Sequence, residues 1–404
     1  MGRVREASVY KNVPQKTYDI TESRRDEYRR ISQQSRLAKL AAEQGLLQSA
    51  HTVNTPKFSP NQLMQQLPSN HLRCLSLFSG GGGLDLGFDR AGYTHQAAYE
   101  LIPICGETFK QNRPTWHIFA GPEKGDVTQV DWRCYKNKVD VIHGGPPCQP
   151  FSVAGQQKGH DDPRNMWGEF NRAINTIQPR AFVAENVLGI RSPKFRGFVQ
   201  RYIYDELRDY NIQMFEMNAA DFGVPQIRRR VIFVGFRDRT YLTRFCIPEA
   251  THTWGHLMAA ASNGDSYNEY RLELFPRNQA KTMGVRAALG LEDIGFDSLA
   301  PTLRSGFTGK RNTTSVLNST AGQKAWAAMK IWPNGVQSTR EKASAFPAKD
   351  NHFRLSVQDC GLLQGFPEQW QFAGAVYQKL GQIGNSVAPP VAYQVAKVVA
   401  DALS

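Results

Sequence analysis

Two hydrophobic rhythms alternate along the middle of this chain. Leu72–Phe78 is a short, mostly apolar run that reads as a strand; four glycines follow, and a helical pattern starts at about Leu84. Further strands are predicted at Gln96–Leu101, around His117–Ala120, and at Val139–His143, where period-2 alternation surrounds Asp140. A helix then runs to about Ile177. The strand A-F-V-A-E-N-V ends on Glu185 and Asn186, a helix is predicted over Phe195–Tyr210, and a strand over Gln213–Asn218. The last strand of the series is led by Gln226, Arg228 and Arg230. Period-2 geometry puts the two arginines on one face, and the plain reading is a basic edge strand. Strands alternating with helices predict an α/β sheet.

Three regions depart from this rhythm. Residues 1–71 are polar and basic, with a helical pattern over Thr21–Leu47 and a proline-bearing stretch at 50–70 that reads as a linker. The helix is read as a solvated extension, or as an arm that contacts DNA or dimerises. Residues 72–247 form the α/β unit. From 248 to 350 glycine, asparagine and serine increase, and Arg271, Arg277, Arg304, Lys310 and Arg311 sit among Trp254, Tyr270, Phe307, Trp326 and Trp332. Basic residues interleaved with aromatics suit groove and phosphate contacts, so a small irregular domain is expected there. Residues 351–404 return to regular structure. A helix capped at Ser356 stops at Gly365 and Pro367, a turn covers Q-I-G-N-S, and a final amphipathic helix carries Pro389 and Pro390 in its first turn.

Composition narrows the function classes. Lys and Arg number 49 against 36 Asp and Glu, a formal charge of +13 that favours a polyanionic partner. No apolar run is long enough to span a bilayer and the N-terminus lacks a signal-peptide core, so a cytoplasmic location with no membrane partner is expected. The six cysteines form no C-x-x-C pair, so neither a disulfide framework nor a metal site is indicated.

The candidate chemistry lies at the strand ends. In V-D-V-I-H-G-G-P-P-C-Q-P-F-S, glycines and prolines hold Cys148 on a stiff loop after a strand, where open α/β sheets place their ligands. A nucleophile and a small buried residue are both compatible with that setting. The glycine loop 80–83 lacks the G-x-G-x-x-G spacing of dinucleotide sites, which argues against a dehydrogenase. Glu100, 20 residues after Gly80, is placed to accept ribose hydroxyls, and Asp126 to reach an adenine or a main-chain turn. Glu185 at a strand end is either an ion-paired structural carboxylate or an acid of raised pKa.

The blocks L-F-S-G-G-G-G-L-D, G-G-P-P-C-Q-P-F-S, E-N-V, Q-I-R-R-R and Q-I-G-N-S-V-A-P-P-V-A occur in the order of one family. Over residues 72–404 the chain resembles the bacterial DNA (cytosine-5)-methyltransferases of restriction–modification systems. It departs from the family's pattern in a fourth glycine in the first block and in Asn165-Met166-Trp167. The resemblance implies a Rossmann-like S-adenosylmethionine-dependent methyltransferase sheet with a small target-recognition domain, and double-stranded DNA in the cleft between them. It implies a cofactor pocket formed by Phe78, Gly80, Gly82, Leu84, Glu100, Asp126, Pro146, Asn385 and Ser386. Cys148, Glu185, Arg228 and Arg230 would be catalytic, acting on a cytosine flipped out of the duplex, with the loop Phe151–Arg164 closing over it. It also implies a monomer whose product is shielded from a restriction endonuclease acting on the same site. The alternatives are a transfer-RNA cytosine-5 methyltransferase and a DNA-binding regulator that uses residues 1–71.

Overall fold

The computed structural model describes residues 21–46, 49–147, 166–259, 279–304, 314–316 and 319–404. Cys148, the loop Phe151–Arg164, Tyr270, Arg271, Arg277, Phe307, Lys310 and Arg311 lie outside the described residues.

A seven-stranded sheet organises the molecule. Its strands are β1 (Arg73–Leu77), β2 (Thr94–Glu100), β3 (Ile118–Ala120), β4 (Val141–Gly144), β5 (Ala181–Val187), β6 (Asn211–Asn218) and β7 (Arg229–Phe236), in the spatial order β3-β2-β1-β4-β5-β7-β6. β1 to β5 run parallel, while β7 is antiparallel to both β5 and β6. The parallel strands β1, β4 and β5 are buried along nearly their whole length because helices cover both faces. The order reverses between β1 and β4, so the carboxyl ends of these two strands frame the crevice where such sheets bind ligands. At the opposite end Arg73 pairs with Asp140 at 2.9 Å and fixes β1 beside β4.

β7 is thus an interior strand and not the basic edge strand of the plain reading; β6 is the edge. Its ladder begins at Arg229, so strict alternation does not extend back to Arg228.

Helix α1 (Glu22–Glu43) confirms the basic extension as helical. The stretch after it corrects the linker reading. Phe58 and Met64 are buried in the core, and main-chain bonds run from Phe58 to Ala288, from Leu67 to Arg90 and from Asn70 to Gly92. Asn54 donates to Asp359 at 3.1 Å. α2 (Gly83–Arg90), α3 (Pro103–Asn112) and α4 (Trp167–Ile177) flank the parallel strands. The single helix expected over Phe195–Tyr210 is instead a short α-turn, Arg196–Val199, followed by a π-helical segment, Gln200–Asp205.

Within 248–350, β10 (Ile331–Gln337) follows the two-residue strands β8 (His252–Thr253) and β9 (Ala280–Lys281). It pairs with β11 (Phe353–Ser356) and so crosses the expected boundary at 350. Two aromatics read there as candidate groove contacts have structural roles. Trp326 is fully buried in the main core, and Trp254 donates to Asp221 at 2.7 Å.

The chain then returns to the sheet. α5 (Val357–Gln364) carries a Ser356–Asp359 capping box and stops at Gly365, whose φ is 95°. The expected turn at Gln382–Asn385 is the last turn of α6 (Val376–Asn385), and α7 (Pro389–Leu403) starts on its prolines. α7 lies so close to α2 that a Cβ on Gly87 would sit 2.4 Å from the Cβ of Ala392, so no other residue fits there unaltered.

Candidate active site

The site is built from loops at the carboxyl ends of β1, β2, β4 and β5. After β1 the chain enters the glycine loop through Phe78, a non-glycine residue at φ 57°, in the left-handed region. Such a conformation is strained and is held only by its surroundings. One restraint is Glu100 at the end of β2. It accepts from the Gly80 amide at 2.7 Å and from the Ile102 amide at 2.9 Å, clasping two loops with one carboxylate. Burial raises its pKa, and the Ile102, Gly80 and Leu101 amides offset part of that rise. Gly82 has φ 85°, and a Cβ there would strike the Trp370 ring at 2.6 Å. Trp370 also donates to the Gly81 carbonyl at 3.1 Å. Sequence reasoning missed Trp370, because a lone aromatic after Pro367 carries no local signal of its partner.

Ser386 closes the same loop from the C-terminal side, its hydroxyl 2.8 Å from where a Gly81 Cβ would stand. Asn385, beside it, is exposed, and Leu84 and Pro146 are buried. Asp126 takes the main-chain option: it caps a turn by accepting from the Thr128 amide at 3.0 Å and the Thr128 hydroxyl at 2.8 Å.

The second half of the site is a carboxylate–guanidinium pair. Arg230 Nε lies 2.7 Å from Glu185 Oε1, with side chains only 14% and 12% exposed. β5 and β7 are neighbours, so register brings the two residues together. Burial raises the Glu185 pKa and outweighs the opposing charges of Arg230 and Arg228. A Cβ on Gly145 would lie 3.2 Å from Glu185 Oε2, so the carboxyl group rests against the backbone three residues before Cys148. Asn186 ties the same loop down, donating to the Pro146 carbonyl at 3.2 Å.

Arg228 sits deeper, 1% exposed, and donates to the carbonyls of Leu303 at 3.2 Å, Gly384 at 2.8 Å and Ser386 at 2.6 Å. Gln226, also buried, donates to the Leu363 carbonyl at 3.0 Å and accepts from the Leu303 amide at 3.1 Å. The pair joins the sheet to the 300s segment and to the C-terminal helices. That role leaves no trace in the local sequence.

A doubly wound sheet whose switch point holds a clasped glycine loop next to an ion-paired acid belongs to the class of open α/β proteins that bind ligands at the carboxyl ends of their strands. Comparison with known proteins fixes the chemistry. The family model for C-5 cytosine-specific DNA methylases matches residues 72–401, and the chain belongs to that family. It is a methyltransferase acting on carbon 5 of cytosine in DNA. The Type II methyltransferase M.NgoMIV of Neisseria gonorrhoeae is 31% identical over 339 residues, spanning 81% of this chain and 97% of that protein. M1.HphI of Haemophilus parahaemolyticus is 31% identical over 341 residues, spanning 81% and 86%. The Dnmt2 methyltransferase of S. pombe, at 15% identity, shares the fold with a TM-score of 0.52, covering 83% of this chain and 100% of its own. Among the described residues no helix is long and apolar enough to cross a membrane.

Proposed function

We propose that this protein methylates a flipped-out cytosine within a specific duplex DNA sequence through a covalent adduct on Cys148. S-adenosylmethionine would be the methyl donor, and the modified site would be withheld from a restriction endonuclease of the same specificity. The observation that carries the reading is the Glu185–Arg230 pair set against the backbone of the loop that leads to Cys148.

The donor set at the switch point fits the cofactor. Glu100 keeps lone pairs free for ribose hydroxyls beyond its two amide bonds, Phe78 offers a half-buried ring beside the glycine turn, and Asp126, whose Oδ1 caps the Thr128 turn, would have its other carboxylate oxygen to offer the adenine amine. When bound, the cofactor supplies an electrophilic methyl group.

The protein's own residues would make carbon 5 able to accept that group. Carbon 5 of cytosine is a poor nucleophile. Addition of the Cys148 thiolate to carbon 6 forms a carbon–sulfur bond and moves the ring electrons toward ring nitrogen 3 and carbon 5. Glu185, kept protonated more readily by burial, holds a proton at nitrogen 3 and so stabilises this charge, help typically worth about 10²–10⁴-fold. Arg230 fixes the carboxyl group and faces the ring oxygen, and Arg228 adds positive potential from behind. Carbon 5 takes the methyl group, a base removes its proton, and the electron pair returned to the ring expels the thiolate. Extruding the target costs a few kcal/mol, met by contacts in the pocket.

Duplex DNA containing 5-fluorocytosine tests the proposal, because fluorine cannot leave as a proton and the adduct is trapped. A denaturation-resistant protein–DNA band that needs S-adenosylmethionine and disappears in Cys148→Ser is expected. A band that persists in Cys148→Ser refutes the nucleophile, and adduct formation on transfer RNA alone refutes the duplex substrate.

A further inference from the structure

Three adjacent strands of the sheet each turn one metal-ligating side chain toward a single buried point. Cys74 on β1 stands opposite His95 on β2 in the parallel register. His143 on β4 pairs with Ser76, two residues along from Cys74 and therefore on the same face of the sheet. One ligand atom from each of the three lies within 4.8 Å of the other two. Cys74 and His143 are fully buried, and the His95 side chain is 2% exposed.

The two imidazoles are unusual for a protein interior. Neither ring nitrogen of His95, and neither of His143, has a hydrogen-bond partner. Buried polar atoms are nearly always paired, and unpaired ones point to a missing water or ion. Their ring planes are fixed by stacking: His95 lies on Trp116 at 3.8 Å and His143 on Phe88 at 4.2 Å between centroids. Burial lowers the pKa of both histidines, that of His143 to about 3, so each offers a nitrogen lone pair. Asp85, on the first turn of α2, brings a fully buried carboxylate to 4.0 Å from His95 Nε2. Its pKa is pushed up to about 7, chiefly by burial and against the opposing effect of the Ser76 hydroxyl.

We propose that Cys74, His95 and His143, completed by Asp85, form a buried structural site for a divalent ion of the zinc class. One thiolate, two imidazoles and a carboxylate are a donor set suited to zinc. Zinc bonds of about 2.0–2.3 Å place tetrahedral ligand atoms about 3.5 Å apart, so the three strand ligands have about 1 Å to close, within reach of side-chain rotation, while Asp85, 4.0 Å from His95 Nε2 and outside that trio, would complete the shell by turning its carboxylate toward the ion. The ion would offset the cost of the unpaired nitrogens and of an ionised thiol that burial alone strongly disfavours. It would pin β2, β1 and β4, the strands that deliver Glu100, the glycine loop and the Cys148 loop. Cys74 and His143 precede Phe78 and Cys148 by four and five residues, so the ion stands back from the reacting atoms. The sequence conceals the site because spacings of 21 and 48 residues match no metal motif; sheet order alone assembles it.

The test uses the full chain carrying Cys148→Ser, Cys134→Ala and Cys246→Ala, which removes the expected nucleophile and the two exposed thiols. After growth in zinc-supplemented medium, elemental analysis is expected to find about one zinc per chain, as for a closed four-ligand site. Cobalt exchanged into this background is expected to give a thiolate charge-transfer band with tetrahedral visible bands. A further Cys74→Ala abolishes the band, and His143→Phe removes the ion. Chelation lowers the thermal midpoint of the starting chain and added zinc restores it, a readout that holds even if the cluster variants fail to fold. Zinc below about a tenth of an equivalent with no cobalt charge-transfer band, or an ion retained after Cys74→Ala, overturns the proposal.

Discussion

The Glu185–Arg230 pair gives the sharpest forecast, because its consequences depend on pH in a defined direction. Replacing Arg230 by alanine leaves Glu185 nearly buried without its 2.7 Å partner. Removing one member of a buried pair costs about 3–5 kcal/mol. Both side chains keep a little solvent contact and Arg228 still acts on Glu185, so the lower end applies, about 3 kcal/mol or about 10²-fold in the folding equilibrium. The penalty belongs to the ionised carboxylate. Burial already lifts the folded pKa of Glu185 above its unfolded value, and loss of Arg230 lifts it further. Between those two values the folded state binds more protons than the unfolded state, so the variant loses stability as pH rises. Urea unfolding followed by tryptophan fluorescence is expected to show Arg230→Ala close to wild type at about pH 5 and at its full deficit by about pH 8. Glu185→Gln added to Arg230→Ala removes the stranded charge and recovers most of the loss. A deficit that is flat with pH, or a double variant as unstable as the sum of the two singles, would refute the electrostatic account of this pair.

Three more outcomes follow from the geometry. Gly87→Ala drives a methyl group into Ala392 and the Tyr393 amide, and overpacking of this kind costs about 1–3 kcal/mol; an unchanged calorimetric midpoint would contradict the close α2–α7 contact. Glu100→Ala removes the acceptor proposed for the ribose hydroxyls and releases the Gly80 amide, so calorimetric titration should show S-adenosylmethionine binding weakened about 10–100-fold. Arg228→Ala strands the carbonyls of Leu303, Gly384 and Ser386, and limited proteolysis should cut the C-terminal segment faster; an unaltered cleavage rate would remove Arg228 from that role.

Most strands were legible because short apolar runs such as Ala181–Ala184 end at glycines or polar residues, and the Ser356–Asp359 box and Pro389 mark helix starts by local chemistry. Its distance from the glycine loop marked Glu100 as a strand-end acid, but not the two backbone amides it clasps. What stayed hidden depends on residues far away in sequence. Prolines at 56, 60 and 68 made residues 50–70 read as a linker, yet Phe58 and Met64 dock without any periodic pattern, held by main-chain bonds to Ala288 and Arg90. The π-helical segment at Gln200–Asp205 escaped notice because Ile203 and Leu207 are buried at a spacing that an α-helix also produces. Arg228 was grouped with Arg230 by alternation, but it precedes the ladder and turns to carbonyls contributed by residues 303, 384 and 386.

Those long bridges bear on how the protein comes into being. Trp370 reaches back 289 residues to Gly81, Tyr93 reaches forward 303 residues to Ala396, and the side chains of Gln226 and Arg228 reach carbonyls of residues 303 to 386. A chain still growing on the ribosome has made Gly81, Tyr93 and Arg228 long before it has made these distant partners. The glycine loop, Tyr93 and the Gln226–Arg228 hub therefore gain these bonds only once residues 303 to 396 have been made, and a chain that stops short of them carries every strand of the α/β sheet without those bonds.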